Sequence, residues 1–103
     1  MNDFVDLVGA SGAPYRFRRL PEGQDHLRIA GNYAWLRHKG EGFAVALLGV
    51  TDDLSQARAQ SPQGARRGAS LYTRLNVARA VREAEHEDLV ARYGRAAPEA
   101  EPE

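Results

Sequence analysis

The stretch Gly31-Asn32-Tyr33-Ala34-Trp35-Leu36-Arg37 is followed by the turn His38-Lys39-Gly40-Glu41-Gly42 and the run Phe43-Ala44-Val45-Ala46-Leu47-Leu48-Gly49-Val50. Two segments rich in aromatic and β-branched residues, joined by a short glycine-bearing turn, predict an antiparallel hairpin. Tyr33 and Trp35 are two residues apart, so on a strand they share one face, a spacing that fits core packing. The second segment is almost wholly apolar, which predicts a central strand covered on both faces.

Thr51-Asp52-Asp53-Leu54, directly after this run, reads as a helix start, with a hydroxyl and two carboxylates to cap free amides. The helix is expected over 53–60, because Pro62 and Gly64 follow. Tyr15-Arg16-Phe17-Arg18-Arg19-Leu20 alternates apolar and basic residues and predicts a half-buried strand over 15–20, ended by Pro21-Glu22-Gly23. Ser70 to Leu75 alternates in the same way. Asn76 is placed to cap a helix over 77–93, stopped by Gly94 and Pro98. At 100° per residue, Val77, Ala80, Val81, Ala84, Leu89 and Ala91 share an apolar arc, and Glu85 and Asp88 fall inside it. Two carboxylates on the sheet-facing side of a helix require partners. Residues 1–12 fit either a short strand or a helical turn. The expected fold is α+β: a small antiparallel sheet of three to four strands flanked by helices. Its domain spans 15–95, after a lead segment over 1–14 and before an acidic, disordered tail over 96–103.

The chain has 103 residues, 43% hydrophobic and 27% charged, and no cysteine. That length suits one domain, and the missing thiols exclude a disulfide scaffold or a thiolate zinc site and fit a reducing compartment. No apolar run approaches a membrane span, and Met1-Asn2-Asp3-Phe4 lacks the cationic start of a secretory signal, so a soluble cytoplasmic protein is expected. The net charge of zero is unevenly spread. Leu54 to Arg82 holds six arginines (58, 66, 67, 74, 79 and 82) and no acid, whereas Glu83 to Glu103 holds seven acids and two arginines. His26, His38 and His86 have no ligand spacing.

Gly31-Asn32-Tyr33, a hairpin, and then Leu47-Leu48-Gly49-Val50-Thr51-Asp52-Asp53-Leu54 resemble the core of the GIY-YIG nuclease domain. Gly68-Ala69-Ser70-Leu71-Tyr72-Thr73-Arg74 is similar to that family's later strand, and Arg82–Leu89 to its metal-binding helix. The resemblance covers about residues 28–95. It implies one-metal phosphodiester cleavage, in which a tyrosine activates water, an arginine stabilises the phosphate and a glutamate holds Mg²⁺ or Mn²⁺. On this chain it assigns the water-activating role to Tyr33, the motif glycine to Gly49 and the metal carboxylate to Glu85. Arg58 is the nearest candidate for the catalytic arginine.

Departures from the pattern imply a degraded site. The second tyrosine is Leu47, the arginine position holds Ala57, and one helical step turns Arg58 by about 100° from the same target. The asparagine that follows the family's last helix has no counterpart in 98–103. With these departures the resemblance implies a nucleic-acid-binding module, most naturally for DNA, and the acid-free arginine run supplies Arg66, Arg67, Arg74 and Arg79 as its candidate phosphate contacts. Two alternatives stay open: an active endonuclease carrying one Mg²⁺ or Mn²⁺ ion, and a protein-interaction module that docks through its acidic tail or a strand edge. Glu85 also has a structural reading, as an ion-pair partner of Arg82 or Arg92 along its helix.

Overall fold

Every residue from Gly31 to Leu36 is buried, so this strand needs a neighbour on each edge and a layer on each face. The computed structural model of the chain, which describes residues 3–94, supplies all four. Its strands are β1 (Phe4–Val8), β2 (Pro14–Leu20), β3 (Gly31–Lys39), β4 (Gly42–Thr51) and β5 (Ser70–Leu75). A 3₁₀ turn (Leu54–Gln56) and two short helices, α1 (Ala57–Gln60) and α2 (Gln63–Arg66), precede β5, and α3 (Arg79–Tyr93) follows it. The strands form one antiparallel sheet in the order β1-β2-β5-β3-β4. The fold is α+β, with five strands rather than three or four. The extra strand comes from the lead segment: Val5 lies opposite Phe17 and Leu7 opposite Tyr15. The expected tail over 96–103 lies outside the described residues.

β3 and β4 form the expected hairpin, with Tyr33 opposite Gly49 and Lys39 opposite Gly42. β4 is nevertheless an edge strand, not a central one, because β5 inserts between β2 and β3. Its apolar character comes from cover on its two faces, where it meets α2 and α3. Burial of faces and pairing of edges are independent, and hydrophobicity reports only the first.

The pleat sorts the core into two clusters. Leu7, Phe17, Ala34, Leu36, Leu48 and Tyr72 pack with Leu89 on the α3 side. Leu20, Tyr33, Trp35 and Leu71 pack with Leu54 and Ala57 on the other. A bulge lets Trp35 face Leu47 and Leu36 face Val45, and the extra residue, Ala46, joins the Tyr33 cluster. α3 touches both edge strands, β1 and β4, so the sheet curls around it.

Three local expectations change. The 53–60 helix breaks into the 3₁₀ turn and α1, although Asp53 caps the start as expected, accepting from Ser55 N at 3.0 Å and Ser55 Oγ at 2.6 Å. α3 begins at Arg79 with Ala78 as its N-cap and no side-chain cap bond, whereas the expected cap, Asn76, donates through Nδ2 to Asn32 Oδ1 and Glu85 Oε1. The inward face of α3 is also rotated from the expected arc. Val77 and Val81 are exposed while Arg82 and Leu89 are buried. Polar contacts, not apolar ones, seat the first half of this helix.

Both inward carboxylates of α3 have partners. Asp88 accepts from Ser11 N (2.9 Å), Ser11 Oγ (2.6 Å) and Tyr15 Oη (2.7 Å), tying the β1–β2 turn to the helix. These bonds hold its carboxyl below the ordinary value, the Ser11 hydroxyl contributing most. A carboxyl whose folded pKa lies below its unfolded one stabilises the fold above the unfolded value and loses that contribution as pH falls through the folded value. Asp88→Asn should therefore melt below wild type near pH ~7, with the gap closing as pH drops below ~4, as measured by thermal denaturation across that range.

Candidate functional site

β3 alternates, so Tyr33 and Trp35 project to the face covered by the short helices, whereas Asn32, Ala34 and Leu36 project toward α3. Glu85 belongs to the α3 side. Its Oε1 accepts from Arg74 Nε at 2.8 Å and from Asn76 Nδ2 at 2.8 Å, and its Oε2 from Arg74 Nη2 at 3.5 Å. The sheet therefore stands between Tyr33 and Glu85. The structural partner of Glu85 is Arg74 on β5, not Arg82 or Arg92 along its own helix.

Glu85 closes a polar chain that reaches the centre of the sheet. Asn32, which is 1% exposed, donates through Nδ2 to the Arg82 carbonyl at 2.9 Å, and its Oδ1 accepts from Asn76. Arg82 in turn donates to the Val77 carbonyl at 2.8 Å. The residues around Glu85 do not fit a divalent cation. A guanidinium occupies the carboxylate, and no group of three His, Asp or Glu side chains among the described residues could hold a metal.

Tyr33 is 8% exposed. Burial pushes its phenol above the ordinary value, with the neighbouring Ser61 hydroxyl opposing. A raised phenol is less often the phenolate that a base requires at neutral pH. Its ring lies against Gly49, where a Cβ would run into the ring, and Gly31 is pressed in the same way against the Arg74 carbonyl and the Leu54 side chain. Both motif glycines thus have packing roles. Ala57 is fully buried in the Tyr33 cluster, so an arginine there would have no room. Arg58 lies on the same side as Tyr33. It donates to the carbonyls of Leu20 and Pro21 at 3.3 Å each, with its guanidinium carbon 5.7 Å from the Trp35 ring centre.

The expected phosphate contacts do not form one group. Arg66 and Arg67 lie at the end of α2 and line a shallow depression with Gln63. Arg74 is paired toward α3, and Arg79 makes an exposed i,i+4 pair with Glu83, which carries little energy. A denser cationic surface involves residues outside the acid-free run. A depression of about 420 Å³ is lined by Phe4, Arg16, Arg18, Arg19, the 24–27 loop, Thr73, Arg74 and Leu75. A smaller one, about 130 Å³, adjoins it through Arg19 and Leu20 and adds Glu22, Trp35, Arg58 and Arg66. Arg19 Nε is the one buried side-chain nitrogen or oxygen among the described residues with no hydrogen-bond partner. Buried donors on charged groups ordinarily have acceptors. The signal for this surface is present in Arg16-Phe17-Arg18, whose alternation sends both arginines to one face. The ring beside them, Phe4, lies in the segment that fits a strand or a helical turn equally, which hides it in the sequence.

Two substitutions test these assignments. Gly49→Ala should cost about 1–3 kcal/mol in denaturant unfolding through overpacking, and Tyr33→Leu in the same chain should recover part of that loss. Glu85→Ala should cost about 1–3 kcal/mol by leaving Arg74 and Asn76 donors without their acceptor, and Mg²⁺ should not change the melting temperature of the wild-type chain. Comparison with family models, with curated proteins and with solved structures found no match to this chain.

Proposed function

We propose that this domain binds nucleic acid without cleaving it. The observation that carries the reading is a pair of depressions whose linings share Arg19 and Leu20 and gather Arg16, Arg18, Arg58 and Arg66 against Asp25 and Glu22. Arginine suits phosphate through its planar, permanently charged fork. The resemblance of residues 28–95 to GIY-YIG nucleases points to the same ligand class, with DNA as the first candidate. Against cleavage stand the separation of Tyr33 from Glu85 by the sheet and the use of the Glu85 carboxylate by Arg74 and Asn76. Losing one transition-state donor already costs about 100- to 1000-fold in rate. Here the carboxylate is engaged elsewhere and the second tyrosine is a leucine.

One observation favours a second reading, a protein-interaction module. β4 is an edge strand, and Phe43 to Val50 carries no charge to discourage pairing with another chain. No helix of the described residues is long and apolar enough to cross a membrane.

The test is fluorescence anisotropy with labelled DNA and RNA between about 50 and 200 mM salt. Binding should weaken steeply with salt, and the double substitution Arg66→Glu/Arg67→Glu should lower the log–log slope by about one for each phosphate no longer neutralised. Substrate incubated with Mg²⁺ or Mn²⁺ should stay intact. Metal-dependent cutting abolished by Glu85→Gln would establish the nuclease instead, and binding to none of these probes would leave the protein-interaction reading.

A further inference from the structure

The larger depression contains more than charge. Phe4 is 48% exposed on β1, directly opposite Arg18 on β2. The guanidinium carbons of Arg16 and Arg18 lie 5.6 and 5.9 Å from its ring centre. The half-exposed ring already carries planar cations over it, so this is a surface on which flat groups stack. Thr73, Gln24 and His26 supply hydrogen-bonding groups beside it, and Leu27 and Leu75 stay exposed as apolar walls.

The charges here are not equally available. Asp6 holds Arg16 at 3.0 Å and Glu85 holds Arg74 at 2.8 Å. Among the described residues, neither Arg18 nor Arg66 takes part in an ion pair. Asp25 is the one acid in the lining of the larger depression. A guanidinium with no carboxylate partner, Arg18, therefore lies against the Phe4 ring, and the surface past Leu20 adds Arg58 and Arg66 with one acid, Glu22. That is a path for a chain of phosphates rather than a pocket closed around one.

We infer that this depression is a single-stranded nucleic-acid site, in which an unpaired base stacks on Phe4 while flanking phosphates bind Arg18 and, further along, Arg66. The inference rests on the nucleic-acid reading above and narrows it. In a duplex both faces of every base are covered by stacked neighbours, so an aromatic ring gains nothing from it, whereas an unpaired base has a free face. The stacking half of the site lies on β1, β2 and the following loop, outside most of the region that resembles a nuclease.

The experiment measures anisotropy of a labelled oligothymidylate of about ten nucleotides, and of the same strand annealed to its complement, with the full chain. The single strand should bind more tightly than the duplex. Phe4→Leu, which keeps an apolar side chain but removes the ring, should weaken single-strand binding by about 5- to 100-fold and leave duplex binding unchanged. Arg18→Gln should lower the single-strand salt slope by about one. Asp25→Asn removes the opposing charge at an exposed position and should tighten binding. Melting curves matching wild type confirm that each variant is folded. Equal single-strand binding by Phe4→Leu and wild type, or a preference for duplex, would overturn the inference while leaving general nucleic-acid binding intact. Failure of every probe to bind with salt sensitivity would remove both.

Discussion

The side-chain period of two along a strand buried on both faces governs this molecule. β3 has no exposed residue from Gly31 to Leu36, so each of its side chains is committed to one layer or the other. Asn32, Ala34 and Leu36 go to α3, and Tyr33 and Trp35 go to the short helices. A slip of one residue would exchange every one of them. The two motif glycines enforce the register. Gly31 allows the Arg74 carbonyl to come close, and Gly49 leaves space for the Tyr33 ring. That register puts Tyr33 and Glu85 on opposite faces of the sheet.

The polar chain from Asn32 through Asn76 to Glu85 and Arg74 explains what the acidic side of α3 does. Burying Asn32 would be costly if its amide were unpaired. Its donor reaches the Arg82 carbonyl and its acceptor takes the Asn76 amide, which docks the helix on the sheet with a fixed rotation. Asp88 does the same at the other end by holding Ser11 and Tyr15. Two carboxylates thus seat α3 where an ordinary amphipathic helix would use leucines. The opposite face of the sheet is covered by small helices over β3, whereas over β1 and β2 it carries Phe4, Arg16 and Arg18 around a depression. One face is closed by α3, and part of the other is left open around Phe4, Arg16 and Arg18.

Much of this was legible in the residues. The β3–β4 hairpin, the capped turn at Asp53 and the inward position of Glu85 and Asp88 follow from periodicity and capping chemistry, which are local. What was not legible depends on partners distant in sequence. β4 reads as a central strand because its composition records two covered faces and carries no information about its edge. Residues 4–8 are too few to choose between strand and helix until Phe17 and Tyr15 pair with them. Val77 and Val81 suggest the inner face of α3, but Asn32 and Arg74, from other strands, rotate the helix away from them. The arginines are countable, yet density along the chain differs from density in space. Arg74, inside the acid-free run, is taken up by Glu85, while Arg16 and Arg18, outside it, stand on one face beside Phe4 at the rim of one depression.

The proposed nucleic-acid site lies on the face of the sheet away from α3. Amide chemical-shift mapping of the ¹⁵N-labelled chain during titration with a short oligonucleotide distinguishes the two faces. Saturable shifts are expected at Phe4, across Arg16–Leu20, in the 24–27 loop and at Arg58 and Arg66, with Glu85 and its helix unmoved. Shifts centred on Glu85 and Asn76, sharpened by Mg²⁺, would contradict that placement.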